Sequence, residues 1–517
     1  MNREALLSRM TEQKALWDVI VIGGGATGLG TALDAASRGY RTLLLEQGDF
    51  AKGTSSHSTK LIHGGLRYLR RGNIRLIRES LRERGLLLQN APHLVHPLPF
   101  IVPASGRAEL WWLGLGLKIY DRLAGKSGIE PSRNLSRDEV LHRLPGLNPS
   151  GLRGGVLYSD AQFDDARLAL ALARTVDDLG GVALNYMRVV AFRKQGEKIC
   201  GVDAVDAETG REFELNARVL INATGVFSDA IRRMDDPEAP GMLTPSRGSH
   251  IVLDRSFFPG DTALIVPKTD DGRVLFAIPW QGSVLIGTTD EPVNDSEEVP
   301  NASDEEIAYL LRHAARYLAK TPTPSDILSV FAGLRPLVTV GRGRGTSKLP
   351  RDHVVLVSQS GLVTIAGGKW TTYRSMGEDA VNAGADVAGL ATRPSRTDAL
   401  RLHGWTDARA ASGYGADAKA VDQLADENPA YRELLHPRLP YRVCEVIWSV
   451  RNEMARTVED VLARRTRALF LNARASIEAA PCVAEWMGRE LGRDEKWRAE
   501  QVAEFTRAAE KNLLWRG

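Results

Sequence analysis

WDVIVIGGGATGLGTALDAASRGYRTLLLE, residues 17–46, is the stretch whose reading decides the fold. Val19-Ile20-Val21-Ile22 is an apolar run of the length of one buried strand. Gly23, Gly25 and Gly28 follow at G-x-G-x-x-G spacing, and small, helix-tolerant residues continue to Gly39, a helix stop. Thr42-Leu43-Leu44-Leu45 is a second apolar run and ends in Glu46. Strand, glycine turn, helix and strand in this order make a βαβ unit suited to a dinucleotide. Gly23 permits the tight turn, Gly25 lets main-chain N–H groups approach a pyrophosphate, and Gly28 lets the helix pack close to the strand. The helix N-terminus then offers unpaired N–H groups and a partial positive charge to the phosphates. Glu46, eighteen residues past Gly28, is placed to hydrogen-bond a ribose 2′-hydroxyl, and its charge repels a 2′-phosphate. The glycine pattern alone is a weak signal; the flanking strands, helix and terminal acid make it specific.

At 517 residues the chain is long enough for more than one domain. Its 43% hydrophobic and 25% charged content is that of an ordinary globular protein. A net charge of +3 gives no global field for nucleic acid, so no nucleic-acid partner is expected. Cys200, Cys444 and Cys482 are far apart and form no CxxC, which fits a reducing, cytoplasmic setting and no thiolate metal cluster. The ten histidines show no HxH or HExxH pairing, so no metal site is expected. MNREALLSRMTEQKALW has no apolar signal-peptide core, and no run reaches the ~18 apolar residues of a spanning helix. Any membrane contact is therefore expected from one side.

Directly after Glu46, GDFAKGTSSHSTKLIHGGLRYLRRGN is dense in Gly, Ser, Thr and His, an irregular loop expected to lie along the cofactor. GTSSHSTKLIHGGLRYL (53–69) resembles the segment that follows the first βαβ unit in FAD-dependent glycerol-3-phosphate dehydrogenases. Further pieces match in order: YSDAQFDDARL (158–168), NATG (222–225), RGSH (247–250), IPW…IGTTD (278–290), GLRPL (333–337) and GGKWTTYR (367–374). Singly these are common; the ordered set is specific, and it spans about residues 17 to 390.

The resemblance implies an α/β fold with a Rossmann-type FAD-binding domain of the glycine/D-amino acid oxidase-like kind. That domain is expected to be discontinuous (about 16–100, 155–244 and 336–390), with substrate or cap insertions at about 101–154 and 245–335. An α-helical domain is expected over 396–517. The implied reaction is oxidation of sn-glycerol 3-phosphate to dihydroxyacetone phosphate. The electrons pass to a quinone or another respiratory acceptor at the inner face of the cytoplasmic membrane, where the protein is peripheral and homodimeric. Cofactor contacts carry over to Gly23, Gly25, Thr27, Gly28, Glu46, Thr54, Ser55, Ser56, Lys60, Leu61, His63, Gly64, Val190, Ala223, Thr224, Gly225, Gly368, Lys369 and Thr371.

Elementary chemistry narrows the substrate site. A phosphorylated substrate wants cations, ideally a fork donor; Arg335, Arg67 and Lys369 stand in three distant matched segments, and Tyr68 adds a hydroxyl. The resemblance makes them substrate contacts. Alcohol oxidation also needs a base for the hydroxyl proton. His250 and His63 are the histidines in matched motifs, and His250 is favoured. Asp290 is expected to touch substrate or to orient the histidine. A helix opening after Gly367-Gly368, near Thr371, is expected to present its N-terminus to a flavin. The chain holds one GxGxxG only, which argues against NAD(P) as acceptor.

Outside the motifs, residues 73–90 read as an amphipathic helix whose Glu79 and Glu83 are spaced to pair with Arg71, Arg75, Arg78 and Arg82. ELWWLGLGLKIYDRL (109–123) reads either as a packing helix or as one docked at a membrane interface, where Trp is enriched. Residues 245–335 alternate like an antiparallel sheet, interrupted by one helix capped by Ser303 with Glu306. Two other readings stay open: an FAD-dependent amine or amino-acid oxidase, and a non-catalytic flavin-bound interaction protein.

Overall fold

The computed structural model describes residues 1–12, 16–65, 73–266, 269–293, 299–339, 352–407 and 413–514. Arg67 and Tyr68 lie outside them.

Two sheets organise the chain. In the first, Trp17–Ile22 lies between Glu212–Asn222 and Thr42–Leu45, with both pairings parallel. Val182–Leu184 extends one side in parallel, and Val363–Gly367 extends the other. Val19, Ile20 and Val21 are almost fully buried because the sheet is covered on both faces, which is why the run is continuously apolar instead of alternating. Glu212–Asn222 is one long strand. Its first half pairs antiparallel with Lys198–Asp206, and its second half runs into the parallel sheet. One extended strand thus carries the NATG turn to the sheet's ligand edge.

The helix Ala26–Ser37 follows the glycine turn. Gly23 has φ +108°, and a Cβ on Gly28 would lie 1.8 Å from the Gly23 carbonyl oxygen. Nothing but glycine fits at position 28. The same helix crosses Tyr373–Ala388 backbone to backbone at Gly30 and Gly377, where a Cβ would come within 2.6–2.8 Å of the other main chain. That crossing brings Gly367, Gly368 and Lys369, 340 residues away in sequence, to the mouth of the dinucleotide turn.

The second sheet forms the cap. Leu243–Asp254 is its axis, paired along one edge with Ile327–Val338 and along the other with Ser283–Gly287 and Glu291–Pro292, all antiparallel. The sheet continues through Leu275–Trp280, Ala263–Val266, Val95–Ala104 and Gly154–Phe163 to Leu61–Ile62. Only Ala263–Val266 against Val95–Ala104 is parallel among the described pairs. The cap therefore recruits residues 61–62, 95–100 and 155–163, which the expected division assigns to the cofactor domain. Val95–Ala104 is broken by three prolines and reads poorly as a strand, so its pairing with Gly154–Phe163 was hidden.

The helix Ile74–Asn90 is present, capped by Asn73, but among the described residues, which leave out Arg71, its acids do not make the expected pairs within the helix. Glu83 is buried and takes Arg374 Nε and Nη2 at 2.7 Å each, and Glu79 accepts from Ser375 Oγ. The helix is bolted to the segment after GGKW instead of lying solvated. The C-terminal region is helical, as expected. It docks through buried ion pairs: Arg464 and Arg465 on Asp49, Arg167 on Glu453, and Arg467 on Asp165. Burial alone would raise the Asp49 carboxyl, yet Arg465 and Arg464 hold it down near 2.

Candidate active site

Between the sheets lies a cavity of about 860 Å³. The glycine turn of the first sheet opens beside it. Among the described residues a Cβ at Gly25 would meet only the Ser55 hydroxyl, at 3.0 Å, so these residues leave the space in front of Gly25 otherwise clear. Ser55 Oγ accepts from Ala26 N–H at the start of the helix, and Trp370 Nε1 donates to the Ser55 carbonyl. Glu46 accepts from Gly24 N–H at 2.6 Å and Gly48 N–H at 2.8 Å, so two amides hold the carboxylate at the end of its strand. Across the turn, Asn222 accepts from the Thr224 hydroxyl, which fixes Ala223-Thr224-Gly225 at the strand end. Gly367 and Gly368 have φ +85° and +73° and lead into Lys369, which lines the cavity with Thr371, His63 and Thr54. A floor of glycine, free space before Gly25 and a carboxylate at the second strand's end fit FAD.

Ser56 and Lys60 do not face this cradle, contrary to expectation. Both are fully buried behind it, and Lys60 Nζ is spent on Asp165 Oδ2 at 2.6 Å and the Ser56 carbonyl at 2.7 Å. Trp280, Phe331 and Phe470 surround the ammonium at 5.1–5.4 Å. Burial, opposed by Asp165, brings its pKa down to about 7. Val190 sits apart from the cavity, at a bulge in Met187–Gln195 and 39% exposed.

The cap supplies the other wall. Arg335 Nη2 donates to Thr288 Oγ1 at 3.0 Å and to the Thr289 carbonyl at 3.2 Å, and Nη1 lies 3.4 Å from Asp290. The guanidinium lies over Gly248, where a Cβ would come within 2.3 Å of it. His250, two residues along the same strand, lies over Gly287, where a Cβ would be 2.1 Å from the ring. Gly248 and His250 therefore put a guanidinium and an imidazole side by side on one face, roughly 7 Å apart by strand geometry. Asp290 accepts from Ser246 Oγ and sits with Arg335. The hydrogen bond on His250 comes instead from Thr59, at 2.9 Å to Nε2. Burial, then the charges of Lys60 and Arg335, hold the His250 pKa well below its ordinary value, so the ring is neutral at pH 7. Lys369 Nζ reaches Ser80 Oγ at 3.1 Å on the helix Ile74–Asn90, and His63 N–H donates to Thr371 Oγ1.

Thr59, Phe331, Gly248 and Gly287 escaped the sequence reading. Thr59 and His57 stand between the recognised residues of GTSSHSTK, where nothing marks one hydroxyl above its neighbours. The glycines had a signal: each stands within an otherwise apolar or strand-like run, a sign of close approach by another group. His57 lines the cavity too, and burial takes its pKa down to about 3.

At its other end the cavity is apolar, lined by Phe100, Val102, Leu113, Ile265 and Phe276. Leu113 belongs to the helix Arg107–Ala124, whose outer face shows Trp111 and Trp112 at 60% and 65% exposure, with Leu115 and Ile119 beside them. No described helix is long and apolar enough to cross a membrane, and the described residues hold no His/Cys/Asp/Glu group able to bind a metal.

Comparison with known proteins bears on this geometry. Residues 18–374 match the family model for FAD dependent oxidoreductases, and residues 364–498 match that for the C-terminal domain of alpha-glycerophosphate oxidase. The mitochondrial glycerol-3-phosphate dehydrogenase of Homo sapiens is 40% identical over 540 residues, covering 97% of this chain and 74% of that protein. The Arabidopsis thaliana mitochondrial protein is 39% identical, covering 95% and 85%. Among solved structures, glycerol-3-phosphate dehydrogenase from Bacillus halodurans complexed with FAD superposes with a TM-score of 0.77 and 29% identity, over 100% of this chain and 99% of that one. Glycine oxidase from Geobacillus kaustophilus, at TM-score 0.54 and 20% identity over 74% of this chain and 98% of its own, shares the fold.

Proposed function

The chain belongs to the FAD-dependent glycerol-3-phosphate dehydrogenase family, and on that premise we propose how its residues divide the oxidation of sn-glycerol 3-phosphate to dihydroxyacetone phosphate. FAD, when bound in the cradle, supplies the acceptor for the hydride on the substrate's secondary carbon. Arg335 binds the phosphate, with its fork aimed by Thr288, Thr289 and Asp290. Lys369 adds a second cation from the facing domain, and Arg67 and Tyr68 join it by the resemblance of their motif. His250 takes the hydroxyl proton, a role its neutral imidazole suits. The observation that carries this reading is the pairing of guanidinium and imidazole over Gly248 and Gly287. It suits a phosphate ester and a hydroxyl on neighbouring carbons of one small substrate.

The acceptor in this proposal is a quinone. Support comes from the apolar end of the cavity, which lies under the helix bearing Trp111 and Trp112. Such a face suits shallow insertion at the inner surface of the cytoplasmic membrane. The same proposal includes a homodimer, which sedimentation equilibrium reads directly.

Dye-linked turnover tests the substrate assignment. Activity with glycerol 3-phosphate and none with glycine or sarcosine is expected; the reverse would move the protein to the amine oxidases. For the membrane, Trp111→Ser with Trp112→Ser is expected to abolish sedimentation with anionic vesicles and to leave dye-linked activity intact. Loss of folding in that variant would make the helix a packing element.

A further inference from the structure

We propose that Thr59 is a positioning residue that sets the ring orientation of His250, and that the C-terminal domain holds Thr59 in place through Arg467. The proposal rests on His250 as the proton acceptor.

His250 has two ring nitrogens and, among the described residues, one hydrogen bond. Nε2 meets Thr59 Oγ1 at 2.9 Å, while Nδ1 is buried without a partner. Phe331 stacks on the ring at 4.8 Å and 16°, which fixes its plane. Stacking does not distinguish a ring from the same ring turned by half a revolution, because both present the same face. The Thr59 hydroxyl does distinguish them. One orientation gives it Nε2 and the other a carbon, so the contact keeps a nitrogen beside Thr59 at the cavity that both residues line, while Nδ1 stays buried. The nitrogen that can meet the substrate hydroxyl is thus kept in place by a residue on the cofactor loop.

Thr59 is held from both sides. Ser58 N–H and Oγ donate to Asp165 Oδ2 at 3.1 and 2.7 Å, and Lys60 Nζ donates to the same oxygen at 2.6 Å. Lys60 has φ +62°, a conformation that a lysine keeps only where its surroundings over-determine it. Burial would raise the Asp165 pKa, yet Lys60 and Arg467 keep it below the usual carboxylate range, so this anchor stays charged. Arg467 closes the cluster from the C-terminal domain. Its Nη2 donates to Asp165 Oδ1 at 3.0 Å and to the Ser56 carbonyl at 2.8 Å. Nη1 donates to Ala463 within its own domain at 2.7 Å. All of Asp165, Lys60 and Arg467 are at most 1% exposed. A helical domain without a residue assigned to the chemistry is thereby tied, through one carboxylate and three loop residues, to the imidazole.

The test uses FAD-loaded enzyme with ¹⁵N-labelled histidine, reading the two ring-nitrogen shifts of His250 (assigned by their loss in His250→Asn) and anaerobic flavin reduction by glycerol 3-phosphate. In Thr59→Val the ring-nitrogen shifts are expected to move and the reduction rate to fall about three- to tenfold, the worth of one neutral hydrogen bond, with substrate affinity little changed. Thr59→Ser should restore both. Arg467→Lys keeps the charge on Asp165 but loses the fork to Ser56, and should move shifts and rate the same way by less. Parent-like shifts and rate in Thr59→Val would overturn the positioning role. The same result in Arg467→Lys would remove the C-terminal domain from it, and if that variant fails to fold, the two Thr59 variants decide alone. If His250→Asn reduces flavin at the parent rate, the base assignment itself falls, whatever Thr59 does.

Discussion

The dinucleotide cradle is built of main chain that allows close approach, whereas the cap presents long side chains laid over glycine. Gly23, Gly25 and Gly28 come from six consecutive positions, and each is needed for a different close approach. Arg335, His250 and Asp290 come from three segments of the cap, and each is aimed by a neighbour: Thr288, Thr59 and Ser246. The difference teaches where damage should be graded. A side chain added to the cradle removes space, which nothing nearby can give back. A side chain altered on the cap removes one contact among several and leaves the rest.

The largest effect is therefore expected at the cradle. Gly25→Val puts a branched side chain into the space before the helix N-terminus and against Ser55 Oγ. Purified protein should be folded by circular dichroism and colourless, with flavin content near zero. A fully yellow Gly25→Val protein would break the contrast at once, because it would mean the pyrophosphate does not approach there.

Next comes Arg335→Ala. Hydrogen bonds to charged groups contribute about 1.5–3 kcal/mol, which is roughly tenfold to a hundredfold in binding. Flavin content should stay normal and the KM for glycerol 3-phosphate should rise by that factor, with a smaller loss on unphosphorylated glycerol. Arg335→Lys keeps the charge without the fork and should fall between Ala and the parent. Equal losses on glycerol and its phosphate would assign Arg335 to the fold.

The same contrast explains what could be read from sequence. The cradle was legible because its physics is local: one turn, one helix start and one strand end lie within thirty residues. Ser303 was legible as a helix cap for the same reason, and the structure gives it its N–H partner. The cap was legible as motifs but not as geometry. Nothing near His250 in the chain points to Thr59, 191 residues earlier. Lys60 was assigned to the cofactor through the resemblance of its motif; its burial depends on Asp165, Arg467 and three aromatic rings from other segments. Glu83 failed likewise: spacing within a helix offered it arginines, but packing of that helix against the start of Tyr373–Ala388 brought it a better one in Arg374.

Gly248→Ala should give the smallest effect and the sharpest comparison, since it changes no group that touches substrate. Its Cβ would stand 2.3 Å from Arg335 Nη2 and 2.7 Å from Cζ, distances that cannot persist. The obstructed atoms are the far end of a flexible side chain, so the strand and its pairing with Ile327–Val338 should survive and the protein should fold with full flavin. The guanidinium must instead lift from the strand and forfeit part of its bonding to Thr288 and Thr289. Losing one such bond costs about 1 kcal/mol, so the KM for glycerol 3-phosphate should rise about fivefold, well short of Arg335→Ala. Because Arg335 is already displaced, adding Arg335→Ala to Gly248→Ala should cost less than Arg335→Ala costs alone, the non-additivity expected of residues in contact. Strict additivity would mean that Gly248 acts on the sheet and not through Arg335. In that case the cap glycines would belong with those of the cradle, as positions where space itself is the requirement.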